Sequence, residues 1–134
     1  ETVGELNKFS FGAAGSGTLI KGVLANDSTE TSTGAGTGVQ LGAVGGSEKL
    51  YAVLHVVSSS GSGDQTLDVT VSSDDNAGFT SELTKITFTQ ATTTTTSELL
   101  EVDGAITDDY FRVNFAISGT GSPSFTFAVF FGVQ

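Results

Sequence analysis

Apolar and polar residues alternate along much of this chain, and the alternation is strongest near its end. In residues 109–117, Phe111, Val113, Phe115 and Ile117 point one way, and Tyr110, Arg112, Asn114 and Ala116 the other. In 124–133, Phe125, Phe127, Val129, Phe131 and Val133 share a face, while Phe130 falls on the opposite face beside Ala128. A period of two marks a strand with one face buried. The short joining segment, Ser118-Gly119-Thr120-Gly121-Ser122-Pro123, predicts that the two strands form a hairpin whose apolar face is the centre of the core. Six of the ten phenylalanines lie in this pair, which makes it the heaviest apolar element of the chain. Phe130 is either exposed on the outer side, where it is the best single candidate for a partner contact, or tucked inward by an irregular strand end.

The same alternation, read upstream, predicts further strands. In 48–58, Leu50, Ala52, Leu54 and Val56 face one side, and Tyr51, Val53, His55 and Val57 the other; two apolar faces predict a central strand. In 66–73, Leu67, Val69 and Val71 point inward, and the spacing predicts an antiparallel hairpin with 48–58. Residues 84–90 place Ile86 and Phe88 inward, and 97–102 set Glu98, Leu100 and Val102 opposite Leu99 and Glu101. Weaker strands are expected at 6–11, 18–25 and 37–44. The connection 74–79 is turn-rich and leads to one expected helical turn around 81–83. The β-branched run 92–96 is stiff and extended, as a loop or an edge strand. Residues 26–36 hold almost nothing apolar, which predicts an exposed loop or solvent arm. Residues 1–36 therefore read as an N-terminal arm of weak strands and exposed polar loop, and 37–134 as a β-sandwich core domain. The fold expected is all-β: a two-sheet antiparallel sandwich of jelly-roll type with about eight strands.

Composition narrows the function classes. Charged residues make up only 15%, and Gly, Ser and Thr abound, which disfavours a helix bundle. Fifteen acids against five bases give a net charge of −10, a surface that repels phosphate backbones, promotes solubility and suits a partner with a basic patch. The expectation is no nucleic-acid partner. The chain has no cysteine, hence no disulfide and no thiolate chemistry. No apolar run is long enough to span a bilayer and no stretch reads as a signal peptide, so no membrane partner is expected. The chain starts at Glu1 rather than Met, as processing or an omitted start would leave it.

Candidate chemistry is sparse. Asp74, Asp75 and Asn76, followed by Gly78 and Phe79, cluster oxygen atoms as calcium loops do, but without the spaced run that ends in Glu. An Asx-type turn, in which short polar side chains bond nearby backbone, is the plainer reading. His55, the only histidine, lies between Leu54 and Val56 and reads as a packed, hydrogen-bonded residue. A lone histidine makes no catalytic dyad without a nucleophile and an orienting group. Glu98 with Glu101, or Asp108 with Asp109, can be posed as a glycosidase pair, but no tryptophan accompanies them. Arg112, the only arginine, is read either as half of an ion pair or as a surface residue with its stem on the sheet. No catalytic residue, cofactor or metal ligand is assigned. The residues proposed for partner binding are Asp74, Asp75, Asn76, Phe79, Tyr110, Arg112 and Phe130.

Several segments resemble small structural proteins encoded among the head and tail genes of tailed bacteriophages. They are Gln40-Leu41-Gly42-Ala43-Val44, Leu50-Tyr51-Ala52-Val53-Leu54-His55-Val56, Val71-Ser72-Ser73-Asp74-Asp75-Asn76-Ala77-Gly78-Phe79, Ile86-Thr87-Phe88-Thr89-Gln90-Ala91, Ile106-Thr107-Asp108-Asp109-Tyr110-Phe111-Arg112-Val113 and Gly121-Ser122-Pro123-Ser124-Phe125-Thr126-Phe127-Ala128-Val129. The likeness runs from Val39 to the end and is structural rather than catalytic. The chain departs from it at Tyr110-Phe111-Arg112, where relatives often carry a Trp-containing strand, and at 92–96, where they are more regular. The resemblance implies a virion component without enzymatic activity, a capsid decoration (cement) protein or a tail-associated subunit. Its partners would be the major capsid protein or other virion subunits, with copies grouped as dimers or trimers on the shell. A sugar- or cell-surface-binding β-sandwich module of a phage tail or adhesin is the alternative.

Overall fold

Nine strands form where the alternation is clearest, in a computed structural model that describes residues 20–93 and 95–134. They are β1 (Lys21–Glu30), β2 (Gly34–Ala35), β3 (Val39–Gln40), β4 (Lys49–Ser60), β5 (Thr66–Asp74), β6 (Leu83–Thr87), β7 (Thr96–Asp103), β8 (Tyr110–Ser118) and β9 (Ser124–Val133). There is no helix among the described residues. A four-stranded sheet has the order β1-β9-β4-β7, and a five-stranded sheet has the order β2-β8-β5-β6 with β3 also on β8. All the pairings are antiparallel.

The pairs nest. β1 pairs β9, β2 and β3 pair β8, β4 pairs β7, and β5 pairs β6. The chain is in effect one long antiparallel ribbon bent at 75–82, and rolled so that successive pairs fall in opposite sheets. β2 and β3 are two pieces of one interrupted strand, with Gly34 opposite Phe115 and Val39 opposite Phe111. Counted that way, the molecule is the jelly roll that the alternation predicts.

The inward faces meet to form the core. Leu50, Leu54, Val56, Phe125, Phe127, Val129 and Phe131 of the four-stranded sheet pack against Leu67, Val69, Val71, Phe111, Val113 and Phe115 of the other, all buried. Burying one such side chain stabilises the fold by about 1.5–3 kcal/mol. Two aromatic pairs cross the gap: Phe115 meets Phe127 edge-on at 5.4 Å between ring centroids, and Phe111 lies 6.4 Å from Phe131.

Both predicted hairpins are instead crossovers. β8 and β9 lie in different sheets, as do β4 and β5. Alternation alone suits either arrangement, because two strands with one greasy face each can lie side by side or face to face. The connection 119–123 is long enough to bridge the roughly 10 Å between packed sheets. The two crossovers run together: Ser62 N–H donates to the Thr120 carbonyl (3.2 Å), and the Asp64 carboxylate accepts from Thr120 N–H (2.9 Å) and Oγ1. These hydrogen bonds, the one from the backbone first, hold the Asp64 carboxyl below the usual aspartate value.

The N-terminal boundary also shifts. β1 runs to Glu30 and β2 follows at Gly34, across the stretch expected to be a loop or solvent arm. The described part of residues 1–36 therefore belongs to the sandwich; the strand expected at 6–11 lies outside the described residues. An edge strand needs backbone partners more than apolar side chains, and β9 supplies them from Lys21↔Val133 to Glu30↔Phe125. Asn26 Nδ2 adds a hydrogen bond to the Phe127 carbonyl (3.0 Å). The strand expected at 37–44 shortens to β3 and an isolated bridge, Val44↔Ile106. No helical turn forms around 81–83; Leu83 opens β6.

Candidate functional site

The sequence candidates fall into two groups on opposite outer faces of the sandwich. Most of them gather at the bend of the ribbon, where the 75–82 connection folds over the five-stranded sheet. Asp74 ends β5 with its side chain buried. Its Oδ1 accepts from Asn76 N–H (3.0 Å) and Asn76 Nδ2 (2.9 Å), and its Oδ2 from Ser81 N–H (2.8 Å). Burial pushes the Asp74 carboxyl up, and the hydrogen bonds from Ser81 and Asn76 outweigh it, leaving the carboxyl below its ordinary value. Asn76 Oδ1 accepts from Gly78 N–H (2.9 Å). The Asp74-Asp75-Asn76 cluster is thus built as an Asx-type turn, with the Asp74 oxygens spent on the turn itself.

Arg112 closes this turn onto the sheet. Outward on β8, it grips Glu82 with its fork: Nε donates to Oε2 (3.0 Å) and Nη2 to Oε1 (2.9 Å). Asn114 Nδ2 donates to the same Glu82 Oε2 (3.1 Å) and to Ser72 Oγ (3.1 Å). Hydrogen bonding from Arg112, more than that from Asn114, holds the Glu82 carboxyl below its usual range against the opposing effect of burial. The Phe79 ring covers the guanidinium at 4.4 Å, and its other edge lies against Gly38, where a Cβ would collide with it. Phe79 adopts a left-handed backbone (φ +49°), uncommon for a bulky residue, so the ring packing holds it there. Tyr110, half-buried, sits opposite Asp74 on the neighbouring strand. Of the two readings of Arg112, the ion pair is the one formed. The sequence reading missed Glu82, whose only signal was that the chain's single arginine needs an acid in reach.

Of the carboxylates posed as glycosidase pairs, Glu98, Glu101 and Asp108 are engaged elsewhere. Glu98 and Glu101, an odd number of residues apart on β7, project to opposite sides of the sheet. Glu98 accepts from Thr89 N–H (2.8 Å) and Oγ1 (3.1 Å), whereas Glu101 pairs with Lys49. Asp108 accepts from the buried Ser73 hydroxyl (2.5 Å) and lies 3.6 Å from Lys85 Nζ. His55 is exposed rather than packed, because the period that buries Leu54 and Val56 turns it to the open side of β4. Among the described residues no three His, Asp or Glu side chains converge.

The second group lies on the outer face of the four-stranded sheet. Register places Leu24 of β1 beside Phe130 of β9, Phe130 beside Val53 of β4, and Val53 beside Leu99 of β7. One apolar row therefore crosses every strand of the sheet. Leu24 is 47%, Phe130 46% and Leu99 61% exposed. Tyr51 and Gly132, opposite each other in the next row, leave a hollow of about 320 Å³ against Phe130 and Leu99, with Ile20 at its margin. Phe130 is thus exposed as the sequence pattern allows. Its neighbours in the row come from four strands and could not be read together before the strand order was known.

Comparison with known proteins finds no family model and no curated sequence that matches the chain.

Proposed function

We propose that this chain is a non-enzymatic structural protein of a virion, a capsid decoration (cement) protein that binds the assembled phage head and stabilises it. The observation that carries this reading is the apolar row across the outer face of the four-stranded sheet. An exposed contiguous apolar strip on a well-packed domain marks a protein-interaction surface. The location in a virion is proposed from the segments that resemble phage structural proteins. A protein that binds only the assembled shell stabilises it by mass action, without any reaction. Copies would group as dimers or trimers on the shell rather than in solution.

Imaging purified virions tests the proposal. The expected result is regular density for this chain over the head, and shells that melt at higher temperature with the protein than without it. Presence at the tail tip alone would remove the cement role and keep the virion role; equal melting of decorated and bare shells would count against stabilisation.

A further inference from the structure

We infer that the Leu24–Phe130–Val53–Leu99 row docks a protein surface that presents an apolar ridge flanked by Lys or Arg side chains. The row is not scattered exposure. Of the five large apolar side chains that are exposed among the described residues, Leu24, Val57, Leu99 and Phe130 lie on this one face, and only Leu83 lies elsewhere. The opposite outer face shows what a closed surface looks like in the same fold: Arg112, Asn114 and Ser72 are tied by hydrogen bonds beneath the 75–82 connection. Nothing comparable covers the row among the described residues.

The rim chooses the partner. Asp27 borders the row on the side of Ala128 and His55, and Glu101 and Asp103 border it beyond Tyr51. Among the described side chains the only lysine or arginine on this face is Lys49, which already pairs with both Glu101 and Asp103; the exposed His55 also lies here. The hydrogen bonds of Lys49 to the Glu101 and Asp103 carboxylates, Glu101 first, raise the lysine's pKa and keep it charged and paired with them. The rim is left acidic, and a basic flank complements it.

A second copy of the chain fits poorly. The row crosses four strands, a width of about 15 Å at normal strand spacing. A strip one row deep across that width is the apolar centre of a contact and not the whole of one. A second copy would bring another net charge of −10 towards the same acidic rim. A basic partner turns both features to advantage: the row serves as the apolar centre of the contact and the acids as its polar rim. The inference rests on the virion reading only for the identity of the partner as a shell subunit, not for the chemistry of the surface.

The probe is a labelled extended peptide of alternating Leu and Lys, titrated into the full chain and followed by fluorescence anisotropy, beside a Leu–Glu peptide of the same length. The expected result is saturable Leu–Lys binding that weakens with added salt and falls at least about tenfold in Leu99→Ser and in Phe130→Ser. Leu99 is the more exposed, so Leu99→Ser keeps the test valid should Phe130→Ser disturb the fold. Equal binding of the Leu–Glu peptide overturns the basic flank. Undiminished Leu–Lys binding by Leu99→Ser overturns the docking row. A dimer seen by sedimentation and broken by Leu99→Ser assigns the row to a second copy and overturns the basic partner. On virions the two readings separate: a wild-type chain that decorates heads, with Leu99→Ser decorating equally, refutes the row and leaves the virion role standing. Absence of the wild-type chain from virions with Leu–Lys binding intact does the reverse.

Discussion

The guanidinium of Arg112 is held by the Glu82 carboxylate in its plane and the Phe79 ring over its face. A planar fork suits this double contact and an ammonium does not. Glu82 therefore ties a connection with no regular structure to the sheet, and its ionisation matters to stability. Its carboxyl sits below the ordinary value of 4.5 in the folded chain. As pH falls, the unfolded chain takes up the proton first. The stability contributed by the pair is thus full above the unfolded value and is lost as pH drops through the folded one. Urea unfolding followed from about pH 7 to about pH 3 should show a steep loss in the wild type and a shallower one in Glu82→Gln. Asp74 and Asp64, shifted in the same direction, keep the slope from vanishing. Identical acid profiles for the two proteins would rule out this role for Glu82.

Among elements, β8 and β9 show how far a pattern reaches. Their inward residues were legible without a structure: Phe111, Val113, Phe115, Phe125, Phe127, Val129 and Phe131 are all buried. Their relation was not, because a period of two states which side is buried and not what covers it. The rings face each other across the sandwich, which makes a prediction that a hairpin would not. Phe115→Ala and Phe127→Ala should each cost about 3–5 kcal/mol. In a double-mutant cycle they should show a coupling of about 0.5–1.5 kcal/mol, as edge-on aromatic pairs do. Chemical denaturation of the four proteins measures both, and strict additivity would mean that the rings do not touch. β1 makes the complementary point. Asn26 to Glu30 carries no apolar signal, yet it is a strand because β9 offers a free edge to pair with.

At the scale of the whole molecule, the nested pairing brings the ends of the described chain together, Lys21 beside Val133. Such pairing closes the longest loops last, and folds dominated by distant contacts are slow. Refolding from urea, followed by stopped flow, should take about milliseconds to seconds; a microsecond phase carrying the full amplitude would contradict the assembly of this sandwich from distant strands. The amino-acid sequence by itself determined the class of the fold, the strands with a strong alternation and the inner face of each. Those follow from local periodicity, which one stretch of chain carries alone. It placed Phe130 on the outer face by alternation, and left open whether an irregular strand end tucks it inward. Only the tertiary structure decided that β8 faces β9, that Glu82 answers Arg112, and that Leu24, Val53 and Leu99 join Phe130 in one row. Each of these depends on which strand lies beside or across from which. Strand order is set by the packing of the complete molecule, because several orders bury the same faces equally well until every strand has found its place.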